Sequence, residues 1–205
     1  MRALQIRVLR RRFFRDWNPE ASWPGGFSLA LNRTHTIDYF KYLVFKDLGW
    51  DYRKFNFDGD VTIVDKIDDA NAVNPNLKEY FRRGGKLLVY HGWNDQLGAP
   101  RNSINYYNSV VTAIGGAAET GRSMRLFMAP GMMHCGGGEG PNRFDAVTAL
   151  DQWFETGKAP DQMIASHSTG DKVDRTRPLC PYPQVASYKG SGSVDDATNF
   201  VCKAP

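Results

Sequence analysis

Two residues suited to acid–base chemistry follow short apolar runs in this 205-residue sequence. Asp95 comes just after the run at 87–91, and His134 comes just after the run at 124–129. A histidine can take a proton from a hydroxyl or thiol nucleophile, and a nearby carboxylate fixes its tautomer and stabilises its protonated form. The pair therefore predicts the base and the acid of a nucleophilic hydrolysis site.

The two apolar runs are predicted to be strands of a parallel sheet, because short continuous apolar runs are typical of strands covered on both faces. Right-handed crossovers bring the carboxyl ends of consecutive parallel strands to one edge of a sheet, where open α/β sheets hold their active sites. Asp95 and His134 are therefore expected to meet. Their order along the chain is that of the last two members of an α/β-hydrolase triad.

Helices are predicted around these strands. Five stretches have apolar residues at helical spacing together with start or stop signals, and they are 34–48, 60–69, 74–84, 100–115 and 144–157. The alternation of helix and strand is that of the last third of a doubly wound sheet. Two strands do not make an independent sheet, so either weak strands lie elsewhere or its first part lies outside this chain. After Lys158 the chain is predicted to be irregular.

The nucleophile is harder to place, because the sequence contains no Gly-x-Ser-x-Gly motif. The nearest match surrounds Ser28, which precedes Asp95 and His134 in the chain but follows a Trp-Pro-Gly turn instead of a strand. Cys135 is the other candidate nucleophile. It directly follows His134, however, and adjacent residues on a loop seldom point at each other. Both assignments stay open at this point.

Composition and spacing argue against several other functions. The chain has 26 basic and 22 acidic residues, and six arginines fall in the first fifteen residues, so no broad nucleic-acid surface is expected. No apolar run reaches the length of a membrane span, and Arg10–Arg12 interrupt any signal-peptide core. Histidines and cysteines lack zinc-site spacing, so no metal is expected. The glycine-rich run 136–140 is predicted to be a flexible loop that lets the backbone turn at His134.

The three cysteines predict one disulfide and one unpaired thiol. Cys180 and Cys202 enclose a tail rich in Pro, Gly and Ser, and a bridge between them would fasten that tail. Cys135 is left unpaired. The predicted organisation is a disordered basic arm at 1–19, a main body at 20–177 and an irregular, disulfide-fastened tail at 178–205.

Several motifs together resemble the tannase and feruloyl esterase family of α/β-hydrolases, over about residues 20–205. They are Phe40–Asp47, Trp50–Arg53, Gly84–Asp95, Pro100–Asn102 with Tyr106 and Tyr107, Gly131–Cys135, and Arg177–Pro183 with Cys202 and Lys203. The resemblance implies the C-terminal part of an α/β-hydrolase fold: an incomplete parallel sheet with flanking helices and an irregular tail.

The resemblance also implies roles for single residues. Asp95 and His134 match the last two members of the family's Ser-Asp-His triad. Cys135 matches a cysteine that the family joins to one directly before its serine, and that partner would lie, like the serine, in an N-terminal stretch outside this chain. The family's lid, with its calcium site, would be absent as well, so no cofactor is expected here.

The function implied is a carboxylic ester hydrolase that cleaves small aromatic acid esters, such as ferulates or gallates. The alternative is a non-catalytic fragment or pseudoenzyme that acts through a partner chain. An incomplete sheet is expected to pair with a second copy of the chain or with the missing N-terminal portion. Binding to nucleic acid or to a membrane is not expected. Family members are commonly secreted or periplasmic, although no signal peptide is recognised in this sequence.

Overall fold

The structure is a computed structural model and describes residues 37–67, 72–134 and 136–205. The chain divides into two compact units, the first ending at Ala72 and the second running from Val73 to Pro205. The predicted basic arm, Ser28 and Cys135 lie outside the described residues.

Aromatic packing dominates the described part of the first unit. It contains a π-helix at Tyr39–Val44, a 3-10 turn at Tyr52–Lys54 and an α-helix, α1, at Asp60–Ile67. The prediction of an α-helix across 34–48 is therefore wrong over its middle. The π-helical turn bonds the Phe45 N–H to the Phe40 carbonyl, which puts these two rings on one side, where both pack against Trp50.

The second unit is built around two parallel strands, β1 at Leu87–Gly92 and β2 at Met124–Ala129. They pair in register from Leu87 with Met124 to Gly92 with Ala129. The crossover between them contains helix α3 at Pro100–Ile114 and the short helix α4 at Ala117–Thr120. These strands and the helix that starts at Pro100 confirm the sequence prediction.

Strand β2 lies at the centre of the second unit, and five of its six residues are buried. On one face Met124, Leu126 and Met128 pack against Tyr107 and Val110 of α3. On the other face Phe127 and Ala129 join a second buried cluster with Met132, Met163, Ala165 and Leu179. Burial on both faces explains why this strand has no polar alternation in the sequence.

Two further helices flank the sheet strands. Helix α2 covers only Lys78–Arg82, because the amide side chains of Asn74 and Asn76 bond to nearby backbone N–H groups and hold the predicted first turn in a non-helical form. Helix α5 covers Ala146–Thr156, begins with Asp145 as its cap and ends at Gly157.

Antiparallel strands follow, so the prediction of an irregular chain after Lys158 is wrong. Strands β3 at Met163–Thr169 and β4 at Lys172–Leu179 form a hairpin. Strands β5 at Val185–Tyr188 and β6 at Phe200–Lys203 form a second pair, within the predicted irregular tail.

The predicted disulfide is confirmed: it joins Cys180, directly after β4, to Cys202 in β6. Beside it the Arg177 guanidinium lies 3.8 Å above the ring of Phe200, and this cation–π contact adds to the link between the hairpin and the tail. In the part of the chain that the structure describes, no helix is long and apolar enough to cross a bilayer.

Candidate active site

The loops that leave β1 and β2 are hydrogen-bonded to each other. The backbone N–H of Trp93 donates to the carbonyl of Ala129 at 2.9 Å, and that of Asn94 donates to the carbonyl of Met132 at 3.0 Å. Gly92 allows this approach, because a Cβ at that position would overlap the Met132 carbonyl oxygen. The sequence thus places the two loops against each other at the carboxyl end of the sheet.

Asp95 and His134 meet across these loops, as predicted. The Asp95 Oδ2 lies 2.9 Å from the His134 Nδ1. The Asp95 side chain is 6% exposed, whereas that of His134 is 40% exposed. A carboxylate only accepts hydrogen bonds, so His134 donates through Nδ1, and in the neutral ring Nε2 keeps its lone pair. That nitrogen is the one that a general base uses when a carboxylate orients its other side.

The second carboxylate oxygen of Asp95 is held by its own turn. The backbone N–H groups of Leu97 and Gly98 each donate to Oδ1 at 2.8 Å. Burial raises the pKa of Asp95, but the hydrogen bonds from Gly98, His134 and Leu97 outweigh it and hold that pKa below its ordinary value. Asp95 is therefore an anion at neutral pH and a fixed acceptor for the imidazole.

His91 is a residue of this site that the sequence analysis did not identify. Its Nε2 lies 3.0 Å from the Asp95 Oδ2, and its Nδ1 lies 2.7 Å from the Ser103 hydroxyl of α3. In the sequence, His91 is only the polar last residue of the predicted strand at 87–91. A signal was present, because a histidine at the end of an apolar strand, followed closely by the predicted acid, needs a polar partner of its own.

The glycine-rich segment after Cys135 is closely packed against the start of the His134 loop. The Met133 N–H donates to the Gly137 carbonyl at 3.1 Å, and the Gly140 N–H donates to the Gly131 carbonyl at 3.2 Å. A Cβ at Gly138 would overlap the Gly131 carbonyl, and one at Gly140 would overlap the Pro130 carbonyl. The segment is a hydrogen-bonded turn that supports His134, in place of the open, flexible loop expected from its composition.

The nucleophile stays unassigned by the geometry. Ser28 and Cys135 are outside the described residues, and among the described residues His134 makes no hydrogen bond to a hydroxyl or thiol. Nor does that part of the chain contain three His, Cys, Asp or Glu side chains placed to hold a metal ion. What the site has is an ionised carboxylate, a half-exposed histidine and a second histidine behind them.

Comparison with known proteins places these residues within a family. The sequence profile described as tannase and feruloyl esterase matches residues 31–203. A mono(2-hydroxyethyl) terephthalate hydrolase of Piscinibacter sakaiensis is 42% identical over 164 residues, which is 74% of this chain and 27% of that protein. A probable feruloyl esterase of Arthroderma benhamiae is 40% identical over 144 residues, which is 68% of this chain and 27% of that protein. The chain thus spans about a quarter of the length of these two relatives.

Solved structures give the same result. An esterase from Aspergillus oryzae superposes with a TM-score of 0.69 at 31% identity, over 82% of this chain and 37% of that one. Tannin acyl hydrolase from Aspergillus niger superposes with a TM-score of 0.61 at 21% identity, over 82% of this chain and 33% of that one. The second match supports the fold alone.

Proposed function

Because this chain belongs to the tannase and feruloyl esterase family and has an incomplete α/β-hydrolase fold, we propose that Asp95 and His134 act in a serine-dependent carboxylic ester hydrolase. The observation that carries the proposal is the 2.9 Å contact between the Asp95 Oδ2 and the His134 Nδ1. It leaves the Nε2 of a half-exposed imidazole available as a base, supported by a buried anion.

The proposed reaction has two steps. The His134 Nε2 takes the proton of a serine hydroxyl while the serine oxygen attacks the ester carbonyl, and the resulting imidazolium is stabilised by Asp95. The same proton then goes to the leaving alcohol, which gives an acyl-enzyme. Water attacks the acyl group with His134 again as base, and the proton returns to the serine as the acid leaves.

The serine is proposed to come from a part of the enzyme outside these 205 residues. The sequence has no Gly-x-Ser-x-Gly motif. In addition, the chain spans only 27% and 39% of the lengths of two of its relatives. Ser28 is the alternative nucleophile within the chain. An incomplete site without any nucleophile, as in a non-catalytic fragment, is the competing hypothesis.

The proposed substrates are esters of aromatic acids. Support comes from the names of the relatives, which include feruloyl esterases and a terephthalate ester hydrolase. Nothing in the described loops selects one aromatic acid over another, so the proposal covers ferulate, gallate and related esters as one class.

A fluorophosphonate probe tests the origin of the serine directly, since it labels only an activated serine. The purified chain, its His134→Ala and Ser28→Ala variants and a His167→Ala control would be treated with the probe and with methyl ferulate, methyl gallate and a p-nitrophenyl ester. The proposal expects neither labelling nor hydrolysis by the chain alone, and both when the complete gene product is used, with loss in its His134→Ala variant.

Two results would contradict the proposal. Labelling of Ser28 in the isolated chain, together with hydrolysis that the Ser28→Ala change abolishes, would place the nucleophile inside these residues. A complete gene product that is neither labelled nor active would favour the non-catalytic hypothesis instead.

A further inference from the structure

A second histidine and a serine extend the hydrogen-bond network of Asp95. The Ser103 hydroxyl contacts the His91 Nδ1 at 2.7 Å, and the His91 Nε2 contacts the Asp95 Oδ2 at 3.0 Å. The same Oδ2 contacts His134 at 2.9 Å. We infer that His91 and Ser103 form a positioning pair that fixes the Asp95 carboxylate toward His134, an inference that deepens the proposed function and rests on it.

The hydrogen-bond donors in this network can be assigned without ambiguity. Asp95 is an anion and can only accept, so His91 must carry its proton on Nε2. In the neutral His91 ring Nδ1 is then an acceptor, and the Ser103 hydroxyl donates to it. Asp95 thus fixes the tautomer of His91, and Ser103 holds the opposite side of the ring, in the way that an outer hydrogen-bond partner orients a ligating histidine.

The carboxylate of Asp95 is fully occupied as a result. It accepts four hydrogen bonds, two at Oδ1 from Leu97 and Gly98 and two at Oδ2 from His91 and His134. A carboxylate has about four lone-pair sites, so none is left for water. Rotation of the carboxyl group would break bonds on both oxygens, and the orientation that serves His134 is the one that satisfies every donor.

Burial makes the contribution of His91 hard to replace. The His91 side chain is 17% exposed and that of Asp95 is 6% exposed, so bulk water has little access to the Oδ2 if His91 is removed. The three residues also come from different elements, with His91 on β1, Asp95 in the following turn and Ser103 in the first turn of α3. The pair thus ties the position of Asp95 to the sheet and to the crossover helix.

Sharing one oxygen between two imidazoles also affects His134. The ionisable groups of the network, among the described residues, are Asp95, His91 and His134. The His91 hydrogen bond holds the Oδ2 where it accepts from the His134 Nδ1. Loss of that hydrogen bond should therefore leave the Asp95 carboxyl group free to rotate and weaken the preference of His134 for the Nδ1–H tautomer.

Nitrogen-15 NMR of the histidine side chains in the full 205-residue chain tests the inference without requiring activity. Spectra across pH would be recorded for the wild type and for His91→Phe, which removes the donor to Asp95. His91→Gln keeps an N–H near the position of Nε2, and Ser103→Ala removes the hydrogen bond that holds the opposite side of the His91 ring. His167→Phe and Ser109→Ala are matched controls, because His167 bonds to Asp174 in the β3–β4 hairpin and Ser109 bonds to a carbonyl within α3.

The inference expects an Nε2–H tautomer for His91 and an Nδ1–H tautomer for His134 in the wild type. His91→Phe should weaken the preference of His134 for the Nδ1–H tautomer, because the Asp95 carboxyl group loses a donor that holds it, and His91→Gln should restore that preference toward the wild type. Ser103→Ala should leave His91 in its Nε2–H tautomer and weaken the His134 preference less than His91→Phe does, while both controls leave the His134 signals unchanged. In the complete enzyme, if it is active, His91→Phe should lower kcat about tenfold with little change in KM.

A neutral His134 with the same Nδ1–H tautomer preference in folded His91→Phe and wild type would overturn the inference, as would a wild-type His91 that carries its proton on Nδ1. If His91→Phe does not fold, the same decision rests on Ser103→Ala and His91→Gln. Absence of esterase activity in every form would count against the proposed function and leave the NMR result on His91 standing.

Discussion

At the scale of single residues, Asp95 is the point on which the site depends. Its carboxylate receives two backbone N–H groups and two imidazoles, although its side chain is nearly buried. A buried anion with all its acceptor sites filled is stable only in the ionised form, since protonation would remove at least one of these hydrogen bonds. The stability of the fold should therefore depend on the charge of this one residue.

Asp95→Asn should change the response of the protein to acid. The pKa of Asp95 is lower in the folded state than its ordinary value of 3.8, so its ionisation stabilises the fold above that value and the effect is lost as the pH falls through the lower, folded-state pKa. The variant lacks this contribution. Urea unfolding at several pH values should show the two proteins most different near pH 7 and converging below pH 4, and parallel curves would contradict the expectation.

Sequence alone could predict that Asp95 and His134 lie close together, because each follows the end of a strand at the same edge of the sheet. It could not assign His91, since a histidine at the end of an apolar strand gives no indication of which loop folds back over it. That information comes from the Gly98 N–H and the first turn of α3, which close the turn around Asp95 and bring Ser103 to the ring. These contacts join residues that are only 3 to 12 positions apart, but they depend on how the turn after β1 folds.

At the scale of elements, helix α5 shows the limit of a periodic pattern. Apolar residues at 147, 150, 153 and 154 predict a single buried face, yet only Trp153 is fully buried, while Val147 is 80% exposed and Phe154 is 69% exposed. The cationic groups of Lys86 and Arg125 lie 5.6 and 5.7 Å from the Trp153 ring. Ala146 and Ala149 pack against the buried cluster around Phe127, so the helix contacts the core through Trp153 and small residues instead of the predicted apolar stripe.

Trp153→Ala should destabilise the second unit by about 3–5 kcal/mol, because it removes a fully buried aromatic side chain and leaves a cavity. The neighbouring change Phe154→Ala is the matched control, and it should change the free energy of unfolding by less than about 0.5 kcal/mol, as expected for an exposed position. Chemical denaturation followed by circular dichroism measures both. Equal effects of the two changes would contradict the assignment of the buried face.

The strands after Lys158 were not predictable for a different reason. β3 and β4 are half-exposed and carry charged and hydroxyl side chains, so they show neither an apolar run nor a clean alternation. The Asp174 carboxylate accepts hydrogen bonds from Thr169 and His167 across the hairpin, and these pairings exist only after the strands have met. The local strand propensity of the sequence therefore gives no information about such cross-strand pairs.

At the scale of the whole molecule, the disulfide fastens the C-terminal pair of strands to the hairpin. It closes a loop between residues separated by 22 positions in the sequence. The backbone adds to it, because the Thr176 N–H donates to the Asp195 carbonyl and the Ala197 N–H donates to the Thr176 hydroxyl. The tail is therefore an integral part of the second unit.

Removal of the disulfide by the double change Cys180→Ala and Cys202→Ala should lower the free energy of unfolding by about 3 kcal/mol, the value expected for a loop of this length. Thermal unfolding of the double variant and of the wild type, with and without a thiol reductant, measures the loss. The reductant should affect only the wild type. A double variant as stable as the oxidised wild type would show that the hydrogen bonds alone hold the tail.

The overall architecture was predictable through its motifs more than through its periodicity. Two strands and one crossover helix suffice to indicate an α/β sheet, but the family assignment came from Gly84–Asp95 and Gly131–Cys135, where several residue types are fixed by close packing. Gly92 is an example, since only glycine fits against the Met132 carbonyl. Positions at which close packing restricts the residue type can identify a fold even when the chain contains only part of its sheet.

The packed turn beside His134 also decides which positions a library of variants should sample. At Gly138 and Gly140 any larger residue would collide with a main-chain oxygen, so diversity there would yield mostly misfolded protein. At Gly137 nothing lies within 4 Å of a Cβ, and its φ of 67° lies in the left-handed region that asparagine and aspartate adopt most readily. At Gly136 there is also open space, but its φ of 153° is outside that region, so Gly137 is the position of this turn at which variation should be tolerated best.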